Sequence, residues 1–138
     1  MRVLIGLGLA GLTMFQPATV HVTVRLLDLR GAKGGVLRVG LHRAPGTGFP
    51  GPSEFTNQTV QPAGDESILT FEAVPGTFAV AVHHDANVNG RMDSNFFGMP
   101  KEGYGVSNDV RPKFRAPRFS EAAVQVRRDT TIVVHMAY

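Results

Sequence analysis

The chain of 138 residues contains no cysteine, and this absence excludes both a disulfide framework and a cysteine-ligated zinc site. Any metal ion must therefore be held by oxygen or imidazole groups. Lysine is also scarce, because 11 of the 14 basic residues are arginine. The formal net charge of +3 is compatible with an anionic partner but does not require one, since solubility explains it equally well.

Two motif classes are missing as well. The glycine-rich letters GLGLAG, residues 6–11, lie in the apolar N-terminal stretch, and no strand–helix–strand unit follows them, so a phosphate-binding loop is not predicted. Ser107, together with His84 and either Asp85 or Asp109, supplies the residue types of a hydrolytic triad. The serine lacks the G-x-S-x-G context and its strand–turn–helix setting. We therefore predict a protein that is not an enzyme, with a hydrolase acting through Ser107 and His84 as the least favoured alternative.

The N-terminus resembles an export signal. An apolar, glycine-rich run extends from Val3 to Phe15 behind Arg2, which is too short to span a bilayer core but suits the central region of a secretory signal. A buried first strand is the alternative, although three glycines would weaken it. We predict a signal peptide at residues 1–18 and one domain at residues 19–138, located in the periplasm or secreted, with no transmembrane span in the mature chain.

Period-two alternation of apolar residues dominates the rest of the chain and predicts strands with one buried face. We expect the two last strands to pair with each other through a tight connection at Arg128 and Asp129. With many glycines and prolines and no convincing helix, the pattern predicts a single antiparallel β-sandwich of six to seven short strands, Greek-key and immunoglobulin- or transthyretin-like, and monomeric. The first predicted strand begins at Val20, and the other five cover residues 36–43, 67–74, 77–84, 121–128 and 130–138.

A long segment without periodicity, residues 85–118, follows the fourth predicted strand. Structureless stretches of this length are uncommon in compact domains unless they are functional or disordered. This one carries too many large apolar groups for a solvated disordered segment. We therefore expect a long loop that packs on the sandwich edge through its aromatic residues, which are Phe96, Phe97, Tyr104, Phe114 and Phe119.

The start of this segment, DANVNGRMD, has the spacing of a calcium loop. Ca²⁺ takes six to eight oxygen ligands, and alternating oxygen-bearing side chains ahead of a glycine bend allow a short backbone to surround one ion. The helices and the final glutamate of an EF-hand are absent, so Glu102 or Asp109 would have to complete the shell. The alternative is a metal-free turn rich in Asn and Asp. The predicted metal ligands are Asp85, Asn87, Asn89, the Arg91 carbonyl, Asp93 and Glu102.

Two adjacent histidines precede this loop. Successive residues of a strand point to opposite faces, so His83 and His84 cannot readily bind one metal ion. His84 shares the face of the large residues Phe78, Val80 and Val82, whereas His83 shares the face of the neighbouring alanines. We predict a hydrogen-bonded core histidine at 84, a histidine at the rim at 83, and another structure packed closely against the alanine face.

The region 111–128 is the basic part of the chain, with six arginines or lysines and one acid. Tyr104, Phe114 and the arginines could bind a glycan or a lipid, since aromatic rings stack on planar or apolar surfaces next to cationic groups. A solvated basic edge that prevents strand pairing is the simpler interpretation. Nucleic acid is not an expected partner of an exported protein.

Residues 74–109 closely resemble the hallmark of small exported bacterial proteins grouped as domain of unknown function family 2141. The shared motifs are P-G-x-[YF]-A, H-D-x-N-x-N-G-x-x-D and G-x-P-x-E-G-[YW]-G-x-S-[NR], here from Pro75 to Asn108. The resemblance extends from about Val20 to the C-terminus and implies a secreted or periplasmic sandwich, but no activity. The basic tract RPKFRAPRF departs from the family, whose members tend to be less charged there.

The sequence as a whole therefore predicts an exported β-sandwich that serves a binding or structural role. A Ca²⁺ ion in the loop of residues 85–93 would order the long surface loop, which would then face an exported protein, a glycan or an envelope component. A metal-free scaffold and a glycan- or lipid-binding module are the alternatives.

Overall fold

The structure is a computed structural model that describes residues 5–6, 8, 10–11, 17–92 and 101–138. Within these residues the chain forms eight strands, one α-helical turn and two single turns of 3-10 helix, at Gly31–Lys33 and Ser107–Asp109. The elements are β1 (Val20–Leu27), β2 (Val36–Arg43), β3 (Thr56–Val60), β4 (Ser67–Ala73), β5 (Gly76–Asp85), β6 (Gly103–Val106), α1 (Phe119–Ala122), β7 (Val124–Val126) and β8 (Thr130–His135).

The strands form two sheets that pack face to face. The first sheet has the order β4-β1-β8, and the second has the order β3-β2-β5-β6. β7 also belongs to the second sheet, where it pairs with the first residues of β5 while β6 pairs with the last ones. The predicted all-β sandwich is confirmed. All pairings are antiparallel except that of β1 with β8, which is parallel.

The core lies between the two sheets and follows the predicted alternation. The inward residues of β1 and β2 are fully or almost fully buried, and β5 contributes Phe78, Val80 and Val82 opposite them. The residues between them point away from this core, as a period of two requires. The buried cluster includes Val22, Val24, Leu26, Leu37, Val39, Leu41, Phe71, Ile132 and Val134.

Two strands were not predicted. β3 has the sequence TNQTV and β6 has the sequence GYGV, so neither shows a clear alternation of apolar residues. β3 is an edge strand and pairs only with β2, which explains its polar composition. β6 lies inside the stretch that we expected to be one continuous loop, and its backbone pairs with the last residues of β5.

The predicted pairing of the two last strands is wrong. β7 pairs with β5 in one sheet, and β8 pairs with β1 in the other, so residues 127–129 cross from sheet to sheet instead of forming a hairpin. Asp129 holds this crossing in place, because its Oδ1 accepts a hydrogen bond from the backbone N of His21 at 2.8 Å. The parallel pairing therefore satisfies the edge of β1 that a hairpin would have left open.

The outer face of the second sheet carries a smaller apolar cluster. Ala79 and Ala81 of β5 contact the buried Ala122 of α1 and Val106 of β6. Phe49, Val110 and Phe119 pack around them. This cluster confirms the prediction that another structure packs on the alanine face, and small side chains are needed there because the covering turn approaches the sheet closely.

The prediction of a loop packed through its aromatics is correct only in part. Phe119 joins the outer cluster and Tyr104 lies half-buried on β6, but the side chain of Phe114 is 97% exposed. Phe96 and Phe97, like Asp93 and most of the predicted signal peptide, lie outside the described residues. Among the residues that are described, no helix is long and apolar enough to cross a membrane. The export signal and the domain boundary at residue 18 stay predictions.

Candidate functional site

The site lies at the end of β5, where Asp85 closes the strand. Its carboxylate has no exposed surface and accepts three hydrogen bonds. Oδ2 accepts from Nε of Arg38 at 2.9 Å and from the backbone N of Gly90 at 2.8 Å, while Oδ1 accepts from the backbone N of Asn89 at 3.2 Å. The chain after β5 therefore bends around this carboxylate.

The side chains of Asn87 and Asn89 also accept hydrogen bonds from the backbone of the loop. Oδ1 of Asn87 accepts a hydrogen bond from the N of Asn89 at 3.3 Å, and Oδ1 of Asn89 accepts one from the N of Arg91 at 2.9 Å. The backbone reaches positive φ at Val88 (56°) and Gly90 (75°), which glycine adopts without strain. The side chains of Asp85, Asn87 and Asn89 therefore turn towards their own loop.

The pKa of the Asp85 carboxyl lies below its ordinary value. Burial acts to raise this pKa, but the hydrogen bonds from the Gly90 N–H, the Arg38 guanidinium and the Asn89 N–H, together with the nearby His83, outweigh it. The carboxylate is therefore ionised at neutral pH. A buried carboxylate requires such donors, because the free energy of burying an unpaired charge would be too unfavourable for a stable fold.

Glu102 reaches the same place from the residue before β6. Its Oε2 accepts a hydrogen bond from the backbone N of Ala86 at 2.9 Å, and its Oε1 lies 3.0 Å from Nε2 of His83. The carboxylate is almost buried, with 8% of the Glu102 side chain exposed. Glu102 thus connects β6 to the end of β5, while its role as a metal ligand stays a prediction.

His83, Asp85 and Glu102 form one cluster, in which one possible ligand atom from each residue lies within 4.8 Å of the others. The 3.0 Å between His83 Nε2 and Glu102 Oε1 is a hydrogen-bond distance, and two ligands about 90° apart at roughly 2.1–2.4 Å from a cation would also lie roughly 3.0–3.4 Å apart. Among the residues that the structure describes, the Arg38 guanidinium bonds to the Asp85 carboxylate of this cluster. The cluster therefore brings two carboxylates and one imidazole, which are groups that can bind metal ions, to the end of β5.

The spacing of the loop residues did not predict His83 in this site. Strand alternation contained the signal, because residues 83 and 85 must lie on the same face of β5. The prediction for the neighbouring residue is confirmed. His84 is fully buried, and its imidazole bonds to the Tyr138 hydroxyl through Nδ1 at 2.6 Å and to the Gly34 carbonyl through Nε2 at 2.7 Å. Since the carbonyl only accepts, Nε2 carries a proton.

The structure does not bring Asp109 to the cluster of His83, Asp85 and Glu102. Its carboxylate accepts a hydrogen bond from the backbone N of His135 at 2.9 Å and contacts Nδ1 of the same residue at 2.7 Å. Asp109 therefore fastens the turn after β6 to the end of β8. The backbone takes positive φ at Asn108 (61°) and Asp109 (51°), a region where Asn and Asp are the commonest residues after glycine.

The structure does not form the triad around Ser107 either. The buried Ser107 hydroxyl donates to the carbonyl of Ala122 at 2.6 Å and accepts from the backbone N of Val80 at 2.9 Å. The imidazole of His84 faces the opposite side of β5 and has its own partners. The hydroxyl thus joins β6, α1 and β5 instead of meeting a histidine.

Replacing Ser107 by alanine is expected to lower the free energy of unfolding by about 1–3 kcal/mol, because two buried backbone groups lose their partner. Urea titration of both proteins measures this loss. Ser120→Ala, at an exposed position of α1, the helix whose Ala122 carbonyl accepts the Ser107 hydroxyl, serves as the control and should change stability by less than about 0.5 kcal/mol. A Ser107→Ala protein as stable as the parent would contradict this structural role.

The predicted basic region is only partly free to meet a partner. Arg115 forms a two-bond pair with Glu121, at 2.6 and 2.9 Å, and Glu121 also accepts from the backbone N of Arg118 at 2.9 Å. The Arg115 guanidinium and this N–H lower the pKa of Glu121 to about 2. Arg111 donates to the carbonyl of His135 at 2.7 Å. The side chains of Arg111 and Arg115 thus hold their own loop in place.

Comparison with known protein families identifies residues 24–133 as a match to one bacterial family. The chain belongs to the family described as "Uncharacterized protein conserved in bacteria (DUF2141)". This match confirms the resemblance found in the sequence and spans β1 to β8. Comparisons with the curated proteins and with the solved structures gave no match.

The structure explains several residues of the DUF2141 motif in this chain. A side chain at Gly103 would overlap the Tyr138 ring, and one at Gly105 would come within 2.7 Å of Val134 Cγ1. Both glycines therefore let the C-terminal strand approach β6. The histidine, aspartate and glutamate of the motif, His84, Asp85 and Glu102, all lie at the end of β5.

Proposed function

We propose that this DUF2141 protein is an exported β-sandwich with a binding and structural role, and that a hard divalent cation, with Ca²⁺ as the candidate, binds in the loop after β5. One observation carries the proposal: the carboxylates of Asp85 and Glu102, both at least nine-tenths buried, converge, so that two negative charges lie close together beside the Arg38 guanidinium. A cation would neutralise this excess and link the start of β6 to the end of β5.

The loop geometry supports an oxygen-rich shell. Asp85, Asn87 and Asn89 alternate ahead of Gly90, and their side chains already bend the backbone into a tight curl. A carboxylate oxygen has about two lone-pair directions, so an N–H donor orients it without exhausting it. Within the part of the chain that the structure describes, Oδ1 of Asp85 accepts only the Asn89 N–H. Asn87, Asn89, the Arg91 carbonyl, Asp93 and Glu102 are the further proposed ligands.

The positive charge of Arg38 would repel a bound cation, so replacing Arg38 distinguishes a cation site from a metal-free scaffold. Its Nε bonds to Oδ2 of Asp85, so it competes for the same charge. The metal-free scaffold is the second candidate, because Arg38 and the N–H groups of Asn89 and Gly90 already satisfy the Asp85 carboxylate. A scaffold needs Arg38 for stability, whereas a cation site should bind its ion more tightly without it.

Calcium titration by calorimetry, with urea unfolding in calcium and in chelator, is the decisive measurement. A cation at about 100 times its dissociation constant should raise the free energy of unfolding by roughly 2.7 kcal/mol. Glu102→Gln should weaken binding and Arg38→Met should strengthen it, because they remove a ligand charge and a competing cation, respectively.

Asp65→Asn is the matched control, since Asp65 is an exposed acid far along the chain from the loop, and it should bind calcium like the parent. Absence of heat together with identical unfolding curves in calcium and chelator would refute the cation proposal and favour the scaffold. Arg38→Met would then lose stability without any gain in calcium affinity.

A further inference from the structure

Residues 111–118, RPKFRAPR, form a basic tract between the turn after β6 and the helix α1. The tract contains four cationic residues and no acid. At its centre the Phe114 side chain is 97% exposed, whereas Phe78 and Phe71 are buried in the core. A phenylalanine left wholly in water forgoes the free energy that burial of its ring would provide, so a surface outside the domain is a favourable place for it.

The tract is anchored on both sides of Phe114. On one side, Arg111 donates to the His135 carbonyl at 2.7 Å and Asp109 bonds to the backbone of the same residue. On the other side, Arg115 forms its two-bond pair with Glu121. The exposed ring therefore belongs to a loop that is tied to β8 and α1, and it is presented outward by a defined backbone.

The charges around the ring indicate the chemistry of the partner. Lys113 directly precedes Phe114 and has no acidic partner among the residues that the structure describes. An aromatic ring flanked by cations suits the interface of an anionic bilayer, where the ring enters the headgroup region and the cations meet lipid phosphates. We propose that this tract docks the protein on an anionic phospholipid surface, with Phe114 as the inserted side chain.

The sequence offers a direct reporter, because the chain contains no tryptophan. Phe114→Trp creates a single-tryptophan protein whose emission should shift to the blue with vesicles of equimolar phosphatidylglycerol and phosphatidylcholine, and should not shift with phosphatidylcholine alone. Ile68→Trp is the matched control: Ile68 is 62% exposed on β4, in the other sheet, and its emission should not change.

Two further changes test the parts of the proposal separately. In a sedimentation assay Phe114→Ser should lower the partition coefficient about tenfold, through loss of the buried ring. Lys113→Gln should lower it about fivefold, as expected for one cation near an anionic surface. Binding should also fall steeply towards about 1 M salt, where the Debye length is ~3 Å.

All measurements are made in chelator, so that their result is independent of the proposed cation site. The tryptophan reports on position 114 itself, and attachment to vesicles through the apolar residues 3–15 would leave its emission unchanged. Unchanged emission of Phe114→Trp with anionic vesicles would overturn the proposal. An equal shift with neutral and anionic vesicles would also overturn it, since the cations would then contribute nothing.

Discussion

Replacing Asp85 by alanine is expected to lower the free energy of unfolding by about 3–4 kcal/mol. The substitution leaves the N–H groups of Asn89 and Gly90 without their acceptor and removes the partner of the Arg38 guanidinium. Removing one member of a buried charged pair costs about 3–5 kcal/mol, and the partial exposure of Arg38 places this case at the lower end. Equilibrium unfolding in urea at pH 7 and low calcium measures the loss.

Measuring the stability of the parent and of Asp85→Ala at acid pH provides a check on the loss expected at pH 7. Because the pKa of Asp85 in the folded protein lies below its ordinary value of 3.8, the carboxylate stabilises the fold above that pH, and this contribution is lost as the pH falls through the folded pKa. The difference between the parent and Asp85→Ala should therefore narrow below about pH 3.8. Asp65→Ala, at an exposed position, should change stability by less than about 0.5 kcal/mol. A loss below about 1 kcal/mol for Asp85→Ala would show that the loop does not depend on this carboxylate.

Replacing Gly103 by alanine is expected to lower the free energy of unfolding by about 3 kcal/mol. The new methyl group would overlap the ring of Tyr138 at the start of β6. If the ring moves, the fully buried imidazole of His84 loses the hydroxyl that lies 2.6 Å from its Nδ1. Overpacking and an unsatisfied buried nitrogen each cost roughly 1–3 kcal/mol. Thermal and urea unfolding both measure the effect.

A double-mutant cycle separates the two causes. Tyr138→Ala should itself destabilise the protein, but in its background Gly103→Ala should cost much less, because the ring that the methyl group meets is gone. Gly76→Ala is the matched control, since a side chain there meets its nearest neighbour, Phe78 Cε2, at an ordinary contact distance of 3.4 Å. Additive losses for Gly103→Ala and Tyr138→Ala would refute the overlap as the cause.

The strands that the sequence predicted correctly share one property. β1, β2, β4 and β5 each bury one face against the core, so the alternation of their side chains is visible in the sequence. β3 and β6 were missed because they do not bury an apolar face in this way. β3 is a polar edge strand, and the glycines of β6 accommodate the close approach of Tyr138 and Val134.

In the candidate site, too, the sequence predicted local features but not contacts between distant residues. The polar turn at Asp85, Asn87 and Asn89 was readable, because Asn and Asp favour turns through side-chain bonds to their own backbone and a following glycine permits positive φ. The sequence left open whether Glu102 or Asp109 lies beside the loop. The structure places Glu102 next to Asp85, whereas Asp109 bonds to His135. His83 was left out although strand alternation places it beside Asp85.

The sequence by itself determined the β architecture, the buried faces of the main strands, the polar loop after β5, the family and the impossibility of cysteine chemistry. These features depend on residue type and on local spacing, because the geometry of a strand fixes the face to which each side chain points. Only the tertiary structure decided that β8 pairs with β1, that Glu102 and His83 meet Asp85, and that Phe114 faces solvent. Such contacts join segments far apart in the chain, and they depend on how the loops between them close, which local pattern does not specify.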